Sequence, residues 1–277
     1  MLKKLAPYSR GKCIPDPETE ANLHKYEIDT DISAEYVECY RHWIMCNQAN
    51  TILGLEDFPD AVFSAGTTES FDKFYVRHRN KRLRIFRGEY SYHNYMTDTI
   101  CLDDVGLTRD SCVIISIPFA DSGTEYNYHA LMQECTRKNI PVLVDCCWFG
   151  TCGEMTFDFT YPCIEDVVFS MSKTFPVSRL RIGIRFSRGY TDGLSAYARD
   201  SYLNFNSMAI GMRYMERFSS DYIFRKYRMK QIQLCKEICV LPSPVVNLAT
   251  GRGKQWDYLN RGGPHNRLCL SDALIEV

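Results

Sequence analysis

The chain has 277 residues, 45% of them hydrophobic, with 33 Lys and Arg against 34 Asp and Glu for a formal charge of −1. That length allows one large α/β domain with a smaller companion, and the near-neutral balance excludes a chain-wide nucleic-acid footprint. No stretch approaches the roughly 18 uninterrupted apolar residues of a membrane span, and thirteen cysteines, an odd number in a long chain with no apolar leader run, point to a reducing, cytoplasmic setting rather than a disulfide scaffold.

In chain order, residues 1–30 are polar and weakly patterned, and residues 33–54 read as a helix. The basic run Arg77–Arg87 reads as a solvated rim around a buried strand. Ser111–Ile117 is a continuous β-branched run, expected of a strand buried on both faces. Tyr128, Leu131, Met132 and Cys135 recur at helical spacing. Pro141–Val144 and Val167–Phe169 are the next strands. Strand, helix, strand at this spacing is a βαβ unit, so the sheet is parallel and its ligand sites lie at the carboxyl ends of the strands. Residues 193–240 read as helical, and Arg267–Leu270 as a short strand. Cys112, Cys239 and Cys269 sit in apolar runs and are expected to be buried.

The residues that follow the strands carry the chemistry. Lys173 comes just after a buried strand in an apolar setting, where burial disfavours the ammonium and lowers its pKa. A neutral amine is what Schiff-base formation requires. Ser170 before it and Arg181 after it offer a hydroxyl and a planar guanidinium, a pair suited to a phosphate. Asp145 ends another strand, followed by Cys146, Cys147 and Trp148. Ser64–Ser70 holds Gly66 and Thr67 at a helix start, where free N–H groups attract anions. An N-cap box is the alternative there. Cys146, Cys147 and Cys152 lack the paired spacing of a metal site. Gly251–Lys254 lacks the outer glycine and the hydroxyl residue of a phosphate-binding loop.

The segment from Ser170 through Lys173 to Arg181 and Gly183 resembles the Schiff-base segment of fold-type I pyridoxal-phosphate (PLP) enzymes, the aspartate aminotransferase superfamily. The resemblance implies that Lys173 carries PLP while Ser170 and Arg181 bind its phosphate, with Gly66 and Thr67 in the phosphate-cradling turn. It implies that Asp145 pairs with the pyridine nitrogen and keeps it protonated, so that the ring accepts electrons. Trp148 stands where the family has Tyr; its indole N–H donates but cannot accept. In Tyr90–Tyr95, Tyr92 matches the aromatic that stacks on the ring, with Tyr90 close behind. Ala120 stands where the family has an Asn that hydrogen-bonds the ring oxygen, which puts ordinary transamination in doubt. Arg267 matches the arginine that grips the substrate carboxylate.

The expected fold is therefore α/β, a mostly parallel sheet with helices on both faces. A large PLP-binding domain over residues 45–190 is expected, with a reduced small domain from residues 1–44 and 191–277. The expected activity is an aminotransferase acting on an amino acid or related amine as a homodimer. A lyase, decarboxylase or racemase is the alternative within the family, and a non-catalytic binding module the alternative outside it.

Overall fold

The computed structural model of the chain describes residues 11–23, 30–189 and 192–275. The helices are α1 (Pro17–Glu20), α2 (Ser33–Met45), α3 (Gly66–Arg77), α4 (Tyr92–Met96), α5 (His129–Lys138), α6 (Gly193–Arg199), α7 (Phe205–Arg217) and α8 (Tyr222–Glu237). The strands are β1 (Thr51–Leu53), β2 (Asp60–Ala65), β3 (Arg82–Ile85), β4 (Thr99–Cys101), β5 (Ser111–Ser116) and β6 (Val142–Cys146). They continue with β7 (Thr156–Asp158), β8 (Ile164–Ser170), β9 (Ile182–Ser187), β10 (Leu241–Pro242), β11 (Leu248–Gly251) and β12 (Asn266–Cys269).

Seven strands form one sheet in the order β2-β9-β8-β6-β5-β3-β4. The five strands from β8 to β4 are parallel, and β9 and β2 add on antiparallel. Every residue of β5 and β6 is buried, as their unbroken apolar runs predict for strands covered on both faces. A small cluster of Phe71, Phe74, Leu83, Ile85, Cys112, Ile114, Leu143 and Val168 fills the face under α3. The larger cluster fills the other face and runs on into α2, α7, α8 and the C-terminal segment. Each such aliphatic side chain stabilises the fold by about 1.5–3 kcal/mol through burial.

Several expected elements are shorter than the pattern implied. The helix from Ser33 ends at Met45. There Asn47 turns its side-chain carbonyl onto the N–H groups of Ala49 and Asn50, a local bond that competes with helix continuation. The 193–240 stretch is three helices, not one. Asn204 caps the start of α7 by accepting from Ser207 N. Cys239 is exposed and has a positive φ of 55°, so its apolar context misled. The basic run is not a solvated rim throughout. Arg84 is buried and donates to the carbonyls of Ile100, Val105 and Gly106, and Arg77 pairs with buried Asp166.

No helix among the described residues is long and apolar enough to cross a membrane. None of the thirteen cysteines is in a disulfide.

Candidate functional site

The parallel register lines up the strand ends. Ser116, last in β5, faces Asp145 in β6, and Asp145 faces Val168 in β8. Ser170 ends β8, and a single 3-10 turn then delivers Lys173.

Lys173 Nζ donates to the Gly11 carbonyl at 2.6 Å and lies 5.3 Å from the centroid of the Trp148 ring. Burial lowers its pKa, and the charge of Arg267 pushes the same way. Asp145 is buried, and the Cys147 N–H donates to its Oδ1 at 3.0 Å. Burial pushes its pKa up to about 7, against the pull of that bond and of the Lys173 charge. An amine lowered and a carboxyl raised, each by desolvation, is the pattern that groups removed from water in a reactive site display.

An anion-binding set lies alongside. Gly66 opens α3 with φ +73°, and a Cβ there would sit 2.3 Å from Arg181 Nη2. Only glycine lets that guanidinium cross the helix start. Arg181 Nη2 donates to Thr68 Oγ1 at 2.9 Å. Thr67 is buried in the first turn of α3. Ser170 Oγ lies 2.9 Å from Ser172 Oγ and 3.2 Å from the carbonyl of Ile182. The Ser64 and Ser70 hydroxyls beside the α3 start are buried with no hydrogen-bond partner. A guanidinium, hydroxyls and helix N–H groups around a glycine cradle fit a phosphate group.

The remaining expected residues are arranged as follows. The Tyr92 hydroxyl donates to Asp72 at 2.8 Å, and its ring stacks on Tyr90 with centroids 5.9 Å apart. Burial and Asp72 raise its pKa to about 12, and the Arg181 charge opposes them. Arg267, in β12, is buried and donates from Nη1 to the Ala120 carbonyl. The Arg267 position and the Ala120 loop thus meet. Arg267 also lies within electrostatic reach of Lys173, Cys147 and Cys269.

Sequence reasoning missed other residues here. Gly11 packs on Trp148 so closely that a Cβ would sit 2.2 Å from its ring. Asn247 donates to the Lys12 carbonyl at 2.9 Å and lies 3.5 Å from the carbonyl of Lys173, tying the N-terminal strap to the lysine turn. Glu89 is buried, takes bonds from Ser116 N at 2.9 Å and Ser116 Oγ at 2.6 Å, and is pushed up to about 7 by burial. Two cavities of about 570 and 360 Å³ share Ser122, Thr124, Pro264 and His265 in their linings, and Lys173 lines neither. Among the described residues no group of three or more His, Cys, Asp and Glu could hold a metal.

No protein-family model matches the sequence, and no curated protein matches it. Solved structures match in fold. The PLP-bound C-S lyase of Staphylococcus hominis is 12% identical, with 99% of this chain and 90% of that one covered and a TM-score of 0.65. The alanine aminotransferase of Pyrococcus furiosus is 13% identical, with 94% and 83% covered and a TM-score of 0.65. The histidinol-phosphate aminotransferase of Clostridium acetobutylicum is 16% identical, with 90% and 85% covered and a TM-score of 0.56. The chain has the fold of these enzymes, a mostly parallel sheet with helices on both faces.

Proposed function

We propose that the chain binds PLP and uses it on an amino acid or related amine, most simply as an aminotransferase. One observation supports the reading: the Gly66–Arg181 anion cradle, the desolvated Lys173 amine and the buried Asp145 carboxyl lie at the ends of the neighbouring strands β2, β9, β8 and β6 of one mixed, mostly parallel sheet. When bound, PLP supplies an electron sink for the charge left on Cα when a bond there breaks. Lys173 anchors the cofactor aldehyde, and its lowered pKa leaves more of the amine neutral and nucleophilic. Asp145 holds a proton at the ring nitrogen. Gly66, Thr67, Ser170 and Arg181 hold the phosphate, while Tyr92 and Trp148 flank the ring. Arg267 would receive the substrate carboxylate, and the Lys173 amine would move the proton at the substrate Cα.

A second reading shares the cofactor but not the outcome. Ala120 offers no side-chain donor to the ring oxygen, and its carbonyl is engaged by Arg267. That supports a lyase, decarboxylase or racemase as the alternative to transamination, and a product assay over an amino acid panel separates them. Thirteen unpaired cysteines support a reducing, cytoplasmic compartment, and a homodimer is part of the reading. The decisive experiment is the absorbance spectrum of the purified protein followed by borohydride reduction. The expected result is a yellow protein whose reduced cofactor maps to Lys173. A colourless protein that takes up no added PLP overturns the reading.

A further inference from the structure

One buried amide ties the N-terminal strap to the lysine turn. Asn247 stands just before β11 and is fully buried. Its Nδ2 donates to the Lys12 carbonyl at 2.9 Å, and it lies 3.5 Å from the Lys173 carbonyl and 3.5 Å from Ser271 Oγ. Ser271 Oγ donates to the same Lys12 carbonyl at 2.7 Å. The carbonyl one residue earlier, that of Gly11, accepts from Lys173 Nζ at 2.6 Å. Asn247 thus grips the strap that supplies the acceptor and the turn that supplies the amine.

Folding alone does not require an amide here. Asn247 Oδ1 is buried without a hydrogen-bond partner among the described residues, and an unpaired buried acceptor costs stability that an apolar side chain would not. The strap is also anchored by other means. Lys12 Nζ pairs with Asp272 at 2.6 Å, Ile14 is buried, and buried Asp16 pairs with Lys226 at 2.5 Å. What Asn247 adds is the setting of Gly11 and Lys12 against the lysine turn. A carbonyl accepts and cannot donate, so Gly11 engages an N–H of the neutral amine and leaves the nitrogen lone pair free. An acceptor fixed in advance removes rotamer freedom from a long side chain before it reacts.

We propose that Asn247 is a positioning residue for Lys173: by clamping the strap to the lysine turn it holds the Gly11 carbonyl as the fixed acceptor that aims the amine. This rests on the reading of Lys173 as the residue that takes an aldehyde.

The test uses salicylaldehyde, an aromatic aldehyde with no phosphate and no ring nitrogen. The amine attacks the aldehyde carbon, the pair condenses with loss of water, and borohydride reduces the C=N bond so that peptide mapping finds it. The expected result is that Lys173 is trapped faster than the surface lysines, and that Asn247→Ala and the isosteric Asn247→Asp, which lacks the donor, slow its trapping at least about fivefold. Affinity for PLP should fall by a similar factor. Affinity for pyridoxamine 5′-phosphate, which has an amine in place of the aldehyde, should not change. Ser271→Ala, which removes only the second bond to the Lys12 carbonyl, should give a smaller loss in the same direction, and it decides the matter if the Asn247 variants do not fold. Unchanged trapping in the variants overturns the proposal, and so does Lys173 trapping no faster than that of surface lysines in the parent. Equal losses for PLP and pyridoxamine 5′-phosphate also overturn it, since they would make Asn247 a support of the fold alone. A parent whose Lys173 trapping depends on Asn247 but which takes up no PLP sinks the cofactor reading and leaves this one standing.

Discussion

At the scale of single residues, buried Asp145 makes the stability of the fold depend on pH. Asp145 is raised from 3.8 to about 7 because burial penalises its charged form. A carboxyl whose folded pKa exceeds its unfolded value stabilises the fold below the unfolded pKa, and that contribution is lost as pH rises through the folded one. In the PLP-free protein, stability should therefore fall between about pH 4 and pH 7 on this account. Asp145→Asn should lessen that fall, to which Glu89 also contributes, and make the PLP-free protein more stable than the parent at pH 8, by up to roughly 4 kcal/mol. The same substitution should abolish turnover while leaving PLP bound, because Asn carries no charge to keep the ring nitrogen protonated. Urea unfolding at pH 5 and pH 8, with an activity assay on the same samples, reads both effects. A variant that keeps turnover would show Asp145 to be a turn residue, held by the Cys147 N–H and doing no more.

At the scale of elements, the start of α3 is the joint on which the anion cradle depends. Gly66 at φ +73° meets Arg181 across it, and a Cβ on Gly183 in β9 would lie 2.8 Å from the Phe169 carbonyl and 3.0 Å from Gly66 Cα. Gly66→Ala should strain the backbone by about 1–2 kcal/mol and push Arg181 off Thr68. The expected outcome is a loss of PLP affinity about tenfold or greater, with little loss for pyridoxal, which lacks the phosphate. Absorbance titrations with both compounds compare them, and equal losses would mean damage to the fold instead. Ser170 and Lys173 stand out in the sequence because they follow the apolar run of β8, whereas Gly66 and Arg181 stand out through their segments' resemblance and spacing, not through the strands β2 and β9 beside them. The helix after Ser33 overran its true end because apolar content alone does not reveal the Asn47 side chain competing for backbone N–H groups. The strap at Gly11, Asn247 and buried Glu89 left no signal. Their partners are backbone groups or residues distant in the chain, and neither has a periodicity to read.

For the whole molecule, the site lies near surface that one chain leaves bare. The segment Tyr90–Met96 is tied through Tyr92 to Asp72 of α3, the helix whose start carries the anion cradle, and in it Tyr95 is 82% exposed and Met96 48%. It leads into β4, the last strand of the seven-stranded sheet, whose outer edge is unpaired by any other strand of that sheet. Exposed aromatic surface next to a sheet edge is the kind of feature that natural proteins cover. A second copy of the chain would cover it and, in doing so, hold Tyr90 and Tyr92 against α3. The protein should therefore behave as a dimer of 32.1 kDa chains in light scattering at micromolar concentration. Replacing Tyr95 and Met96 together by Glu should shift that mass towards one chain. Because Tyr92 is tied to α3 through Asp72, freeing the segment should also weaken PLP binding, and the two losses should follow the same dependence on protein concentration. A monomer that binds PLP as tightly as the parent would separate assembly from the site and overturn the expectation.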